Sequence, residues 1–215
     1  MSQHPAGLRE RKRQRTYQAI SDAAVTLFLE KGFDAVSVSE IAEAADVSKP
    51  TLFRYFPTKE DMALYRFADH EDEAARVVAG RDAGVPPLAA LEDHFLAGLE
   101  ARDPVTGLCD APEVLAFHRL LYGTPSLMAR LHSYTARSEA ALACELEQTL
   151  PAGSPTPRTT AQLAAGQVIT TQRVLATANW HRISQGERAD SVHQAAVQDA
   201  RHGFALLRTG LTPFT

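Results

Sequence analysis

The chain has 215 residues, of which 45% are hydrophobic and 22% are charged, a composition typical of a globular protein with one or two domains. Its formal net charge of -4 excludes a uniformly basic nucleic-acid-binding protein, so any basic surface must be local. The two cysteines, Cys109 and Cys144, are too few and too isolated for a disulfide framework or a cysteine-based zinc site.

Basic residues are concentrated near the N-terminus. Residues 1–60 hold nine lysines and arginines against eight acidic residues, and all four lysines of the chain lie in this stretch. The basic run from Arg9 to Arg15 leads us to predict a flexible basic arm over residues 1–15. Such an arm is either simply solvated or follows the phosphate backbone or the minor groove of DNA, and the sequence leaves both open.

The first predicted helix covers residues 16–31 and is amphipathic. Its apolar stretch is bracketed by Asp22 and Glu30. It is therefore too short for a signal peptide or a membrane span, and we predict a cytoplasmic protein. The apolar residues of this helix recur three or four positions apart: Tyr17, Ile20, Ala24, Leu27 and Phe28.

Two short helices joined by a tight turn are predicted next. Ser37 and Glu40 have the spacing of a capping box, in which the hydroxyl and the carboxylate each accept a backbone N–H. Asp46 tolerates the left-handed conformation that ends this helix, and Ser48 caps a second helix with Pro50 in its first turn. This pattern predicts a helix-turn-helix over residues 16–60 whose second helix enters the DNA major groove, with an unrelated α-hairpin as the alternative.

The stretch from Ala23 to Met62 closely resembles the N-terminal domain of TetR-family transcriptional regulators. Asp46 departs from the family pattern, which usually has glycine at this position. Phe53 departs from it too, because the usual tyrosine hydroxyl, which commonly reaches a phosphate, is missing. The residues that fill the pattern are Leu27, Phe28, Gly32, Phe33, Ile41, Ala42, Ala45, Val47, Ser48, Pro50, Thr51, Leu52, Tyr55, Phe56, Lys59 and Glu60.

The resemblance implies that DNA-binding residues lie on and around the second helix of the motif. We expect Lys49, Thr51 and Arg54 to meet base edges or nearby phosphates. The residues that would position the DNA backbone are Ser37, Tyr55 and Lys59, and the remaining candidates are Ser48, Pro50 and Phe53.

The remainder of the chain, residues 61–215, shows helical periodicity and no strand alternation. The sequence therefore predicts an all-α protein in which a three-helix, helix-turn-helix domain is followed by a larger helical domain. Stretches rich in proline and glycine separate the later helices. The predicted helices beyond the motif cover residues 59–80, 88–102, 113–122, 125–149, 159–185 and 189–208.

Catalytic and metal-binding motifs are absent from the sequence. None of the eight histidines belongs to an HExxH motif or follows a glutamate by three residues, the spacing used in di-iron helix bundles. No glycine-rich phosphate loop or GxSxG motif is present. We therefore predict no enzyme activity, no metal and no cofactor.

The TetR resemblance implies that the C-terminal domain encloses a small-molecule pocket and forms a dimer. Apolar and aromatic residues suitable for lining a cavity are present, although for each of them taken separately we favour a place in the core over a place in the pocket lining. The pocket candidates are Phe67, Phe95, Leu99, Phe117, Leu121, Tyr122, Met128, Leu131, Tyr134 and Trp180.

The last two predicted helices carry stripes of mostly small residues that would let helices approach closely. We expect these stripes to form a two-fold interface with the same surface on each subunit. The alternative is that they pack inward only. The interface candidates are Ala164, Val168, Leu175, Ala196, Ala200, Gly203 and Leu207.

The sequence thus favours a homodimeric DNA-binding transcriptional regulator. We expect a repressor that is released from a palindromic operator by a small hydrophobic ligand. Two alternatives remain open: a ligand-independent or activating DNA-binding regulator, and a helical metabolite-binding protein in which the helix-turn-helix is only structural.

Overall fold

The structure, a computed structural model, describes the backbone of residues 5–68 and 70–214, and within these ranges the side chains of residues 5–10, 67 and 68 are not described. Every regular element of this part of the chain is helical, which confirms the predicted all-α fold. No helix among these residues is both long and apolar enough to cross a membrane. The α-helices are α1 (Pro5–Lys31), α2 (Val38–Ala44), α3 (Lys49–Tyr55), α4 (Lys59–Ala68), α5 (Glu73–Gly80), α6 (Pro87–Glu100), α7 (Pro112–Gly123), α8 (Pro125–Thr149), α9 (Pro157–Ser184) and α10 (Ala189–Gly210), with short 3₁₀ turns at Pro104–Thr106 and Thr212–Phe214.

The first helix begins well before the predicted start at residue 16. It starts at Pro5, so the part of the predicted flexible arm from residue 5 to residue 15 is helical. The segment from Leu8 to Arg15 consists of leucine, arginine, glutamate, lysine and glutamine, which are all strong helix formers. Helix propensity thus outweighs the missing apolar periodicity. The rest of the predicted arm, residues 1–4, lies outside the described part of the chain.

The single helix predicted over residues 59–80 is wrong. The structure has two helices there, and Asp72 is the N-cap residue of the second, with φ -107 and ψ 10. Aspartate and histidine are poor helix formers, because aspartate competes for backbone hydrogen bonds and histidine loses rotamer freedom. Asp72 and the preceding His70 therefore interrupt a helix that the apolar periodicity alone would continue.

The described chain forms two compact units. The first contains α1 to α4 together with residues 116–132, and the second contains residues 70–115 and 133–214. Within the first unit, the buried Ser21 hydroxyl donates a 2.8 Å hydrogen bond to the carbonyl oxygen of Met62 and so joins α1 to α4. This division differs from the predicted boundary between residues 60 and 61, because α4 and a later segment pack with the helix-turn-helix.

The second unit is built around one hydrophobic core. Within it, α10 packs against both α9 and α6, and α5 packs against α6. The 22-residue helix α10 supplies Val192, Phe204 and Leu207 to this core. The largest fully buried side chains of the unit are Leu88, Leu91, Leu99, Leu108, Phe204 and Phe214.

The predicted dimer stripes face the inside of their own subunit. Gly203 of α10 lies so close to α9 that an added Cβ atom would be 3.1 Å from Thr171 and 3.5 Å from Leu175. The small residues therefore let α9 and α10 approach each other within one chain, and the inward-packing alternative is the correct one. Five of the interface candidates are buried in the core, namely Ala164, Val168, Ala196, Ala200 and Leu207, and Leu175 packs against it.

Other side chains of α9 and α10 point outward. Leu163 and Val174 on α9 are 63% and 53% exposed, and Leu206 on α10 is 60% exposed. Leu163 and Val174 are close to three helical turns apart, so they share one face of α9. These three residues, which we call the outward aliphatic residues, replace the predicted stripes as interface candidates.

The loop between α6 and α7 makes a close backbone contact with α9. Gly107 has φ +72, and an added Cβ atom would overlap the carbonyl oxygen of Ala176 and lie 3.0 Å from the backbone nitrogen of Trp180. The buried Asn179 side-chain amide donates a 2.9 Å hydrogen bond to the carbonyl oxygen of Thr106. Only glycine can adopt this left-handed conformation and also leave room for the backbone of α9 to come so close.

Candidate nucleic-acid interface

The start of α2 is fixed by the predicted capping box, which the structure confirms. The Ser37 backbone N–H donates to Glu40 Oε2 at 2.9 Å, and the Glu40 backbone N–H donates to Ser37 Oγ at 3.2 Å. Lys31 of α1 also donates to Glu40 Oε1 at 2.9 Å. The Lys31 ammonium, helped by the Ser37 hydrogen bonds, holds the pKa of Glu40 at about 2. The Ser37 hydroxyl is thus engaged in orienting α2.

The turn between α2 and α3 adopts the left-handed conformation expected at Asp46. This residue has φ 51, and its N–H donates to the carbonyl oxygen of Glu43 at 3.1 Å. The Val47 N–H donates to the carbonyl oxygen of Ala42 at 2.9 Å. These bonds satisfy carbonyl groups at the end of α2 and hold the turn that sets the direction of α3.

Ser48 caps α3, as the sequence predicts. Its hydroxyl oxygen accepts the backbone N–H of Thr51 at 3.3 Å, and the two side-chain oxygens lie 2.9 Å apart. Pro50 occupies the first turn, where no backbone donor is needed. The Ser48 and Thr51 hydroxyls therefore hydrogen-bond each other at the start of α3, and their predicted contacts with DNA stay predictions.

One side of α3 is buried and the opposite side is open. Leu52 is fully buried and holds α3 against the rest of the unit, whereas Phe53 is 51% exposed. Lys49, Pro50 and Arg54 are also exposed. At 100° per residue, Pro50 and Arg54 lie opposite Leu52, and Lys49 and Phe53 share one flank. These four exposed residues form what we call the reading face.

An aromatic cluster fixes the end of α3 against α1 and α4. The Tyr17 ring lies 4.7 Å from the Tyr55 ring, 5.2 Å from the Phe56 ring and 5.3 Å from the Tyr65 ring. The Arg54 guanidinium carbon lies 5.6 Å from the centre of the Tyr55 ring, within the range of a cation–π contact. The Tyr55 ring thus has a structural role, and it restrains an arginine of the reading face.

The Lys59 ammonium group is engaged by the protein itself. Its ammonium group donates to the carbonyl oxygens of Phe33 and Val36 at 2.8 and 2.9 Å. It also lies 4.5 Å from the centre of the Phe33 ring. The sequence-based role of Lys59 is therefore corrected: its charge holds the loop before α2 to the start of α4, because unpaired loop carbonyls attract a cationic donor.

Replacing Lys59 with methionine should destabilise the first unit by about 1–3 kcal/mol, because two carbonyl groups lose their charged donor. Chemical denaturation followed by circular dichroism measures this change. Lys49→Met is the matched control, since Lys49 is exposed, and it should change stability by less than about 0.5 kcal/mol. Equal stability of the two variants would contradict the structural role of Lys59.

Comparisons with known proteins agree with this geometry. Residues 20–65 match the family model described as bacterial regulatory proteins, tetR family. The chain is 37% identical over 134 residues to the HTH-type transcriptional regulator TcmR of Streptomyces glaucescens, a match that covers 62% of this chain and 58% of TcmR. The chain belongs to the TetR family of bacterial regulatory proteins.

Two further similarities are weaker. The chain is 28% identical over 88 residues to the HTH-type transcriptional repressor DhaR of Mycobacterium sp. strain GP1, which covers 40% of this chain and 44% of DhaR. The structure of NalD, the secondary repressor of the MexAB-OprM multidrug efflux pump in Pseudomonas aeruginosa, matches with a TM-score of 0.54 and 19% identity, covering 88% of this chain and 97% of NalD. The matches thus span about half the length of the curated relatives, and the NalD similarity shows the TetR-like fold alone.

A buried contact that the sequence did not indicate lies beside the helix-turn-helix. Arg130 of α8 donates to Asp61 Oδ1 of α4 at 2.7 Å through Nε, and Nη2 lies at the same distance. The Thr58 hydroxyl donates to the other oxygen of Asp61 at 2.8 Å. Because Asp61 is only 6% exposed, it needs these partners. In this TetR-family protein, the contact between Asp61 and Arg130 therefore joins residues 116–132 to α4 within the first unit.

The predicted pocket residues are divided between the two units. Leu99 is fully buried and Phe95 nearly so, and both belong to the core of the second unit, so the core interpretation holds for these two. The Phe67 side chain lies outside the described residues. The first unit contains Phe117, Leu121, Tyr122, Met128 and Leu131, and the second contains Phe95, Leu99, Tyr134 and Trp180.

Metal binding has no visible basis in the described part of the chain. No three histidine, cysteine, aspartate or glutamate side chains come together there in a way that could hold a metal ion. Cys109 is buried and Cys144 is exposed, and both are free thiols.

Proposed function

We propose that this TetR-family protein is a transcriptional repressor that binds a palindromic operator as a homodimer and is released by a small hydrophobic ligand. The observation that carries the DNA-binding part is the reading face. Lys49 and Arg54 stand exposed beside Pro50 and Phe53 on a short helix whose other side is anchored by Leu52. Such a helix can enter the major groove, where exposed side chains reach base edges.

The homodimer is supported by the outward aliphatic residues. Three large aliphatic side chains are exposed on the neighbouring helices α9 and α10, and a two-fold interface would cover the same residues on both subunits. We propose that a second copy of this chain covers Leu163, Val174 and Leu206. Two reading helices related by a two-fold axis would then read half-sites whose centres are about 34–36 Å apart, or a multiple of this distance.

The proposal of repression draws on DhaR, whose name calls it a repressor. The proposal of a ligand draws on residues 117–122 of α7, which belong to the first unit and include polar as well as apolar side chains. Burial lowers the pKa of His118 and raises the pKa of Tyr122, so both side chains are neutral near pH 7. Their rings lie 5.9 Å apart, and two neutral polar groups beside Phe117 suit a mostly apolar ligand with one or two polar atoms.

The full-length protein should select a two-fold symmetric sequence from a pool of random DNA duplexes. Arg54→Ala should then weaken binding to the selected operator by about 1–3 kcal/mol per half-site and relax the preference at one base pair, because an arginine can hold guanine O6 and N7 together. Binding curves on the operator and on single-base variants measure both effects.

Arg76→Ala is the matched control for the loss of one positive charge. Arg76 is exposed on α5, in the other unit, and pairs with Asp72 four residues earlier. Its replacement should leave operator affinity and base preference unchanged. Failure to select any sequence would refute the DNA-binding proposal, and equal effects of the two variants would remove Arg54 from base recognition.

A further inference from the structure

The chemistry of the reading face restricts which bases it can accept. The Ser48 and Thr51 hydroxyls hydrogen-bond each other at 2.9 Å at the cap of α3, and the Tyr55 ring packs on Tyr17. The exposed groups that remain are those of Lys49, Pro50, Phe53 and Arg54.

These four side chains offer donors and apolar surface, but no acceptor. Lys and Arg side chains carry only donors, and Pro and Phe side chains carry neither donors nor acceptors. In the major groove, guanine presents two acceptors and thymine presents one acceptor and a methyl group, whereas cytosine presents an amino donor. The reading face therefore matches guanine and thymine edges and lacks a partner for the cytosine amino group.

Phe53 is the largest apolar group on this face. About half of its surface is exposed, although a phenylalanine gains free energy when it leaves water. It shares a flank with Lys49, one turn earlier, and adjoins Arg54 along the chain. Its apolar counterpart in the major groove is the thymine methyl group.

We propose that Phe53 is a specificity-determining residue that contacts the 5-methyl group of a thymine next to the base pair read by Arg54. This proposal rests on the proposed function, because it assumes that α3 enters the major groove. It assigns the recognition of guanine to Arg54 and that of thymine to Phe53.

The test uses the operator selected by the full-length protein from random duplexes. Each thymine of the half-site is replaced in turn by deoxyuridine, which keeps the base pair and removes only the methyl group. At one position the replacement should weaken binding about fourfold per half-site, which is the contribution of burying one methyl group. With Phe53→Ala this loss should disappear, whereas Phe53→Tyr, which keeps the ring, should retain most of it.

Three outcomes would overturn the proposal: half-sites without thymine, uridine replacements without effect, or a uridine effect that is unchanged in Phe53→Ala. If Phe53→Ala binds too weakly to measure, its uridine scan is repeated at lower salt concentration, where phosphate contacts strengthen binding to every sequence. Since Phe53 is exposed, equal thermal stability of the variants should accompany these results. A protein that selects no operator refutes the proposed function instead, so the two failures are distinguishable.

Discussion

Replacing Val174 and Leu206 together with glutamate should convert the protein to a monomer and weaken operator binding by about 10²–10⁴-fold. Two-fold symmetry places each new charge in the interface twice, where it loses water without gaining a partner. A monomer then binds one half-site without the effective concentration that the second subunit provides. Sedimentation at micromolar concentration measures the assembly, and binding to full and half operators measures the consequence.

Two comparison variants separate assembly from folding. Leu29→Glu introduces the same charge at a leucine of α1 that is 40% exposed, and it should remain a dimer. Ala200→Glu should instead unfold the second unit, because Ala200 is fully buried in the core and a buried unpaired charge is strongly destabilising. If the Val174 and Leu206 double variant sediments as a dimer, the subunits meet on another surface.

Replacing Gly107 with alanine should destabilise the second unit by about 2–5 kcal/mol. A left-handed conformation costs a residue with a Cβ atom about 1–2 kcal/mol, and forcing an atom into an occupied space adds about 1–3 kcal/mol. The occupied space belongs to the backbone of Ala176, which cannot rotate away as a side chain would. Urea denaturation measures the loss, and the fluorescence of Trp180, the one tryptophan of the chain, reports directly on this contact.

Gly84→Ala provides the matched control in the same unit. Gly84 also has a positive φ, +90, but an added Cβ atom would meet nothing within 4 Å. Its replacement should therefore cost only the conformational part, about 1–2 kcal/mol. The difference between the two variants in the free energy of unfolding measures the cost of the close contact with α9. Equal losses of stability would show that the left-handed conformation alone explains the need for Gly107.

The parts of the fold that the sequence predicted correctly depend on local chemistry. The Ser37 and Glu40 box, the left-handed Asp46 and the Ser48 cap each involve residues at most three positions apart, and all are present in the structure. Such bonds form wherever the spacing is right, so they can be recognised without knowing the tertiary structure.

The errors about Lys59 and about the small-residue stripes, and the missed contact of Asp61, arose where distant residues decide the outcome. The direction of the Lys59 ammonium depends on carbonyl groups 23 and 26 residues earlier in the chain. Asp61 and Arg130 are 69 residues apart. The small-residue stripes of α9 and α10 indicated close packing but could not show whether the partner helix belongs to the same subunit, because an intrachain and an interchain contact favour the same residues.

The engagement of Lys31 and Lys59 within the protein affects how ions take part in operator binding. Each phosphate neutralised by a protein cation releases condensed counterions from DNA, and the logarithm of the binding constant falls with the logarithm of salt concentration by about 0.9 per neutralised phosphate. Lys31 is already paired with Glu40 and the Lys59 ammonium is bound by carbonyl oxygens, so each group would have to share or give up a partner to replace a counterion. The operator complex should therefore tolerate salt better than the number of basic residues in the helix-turn-helix domain suggests.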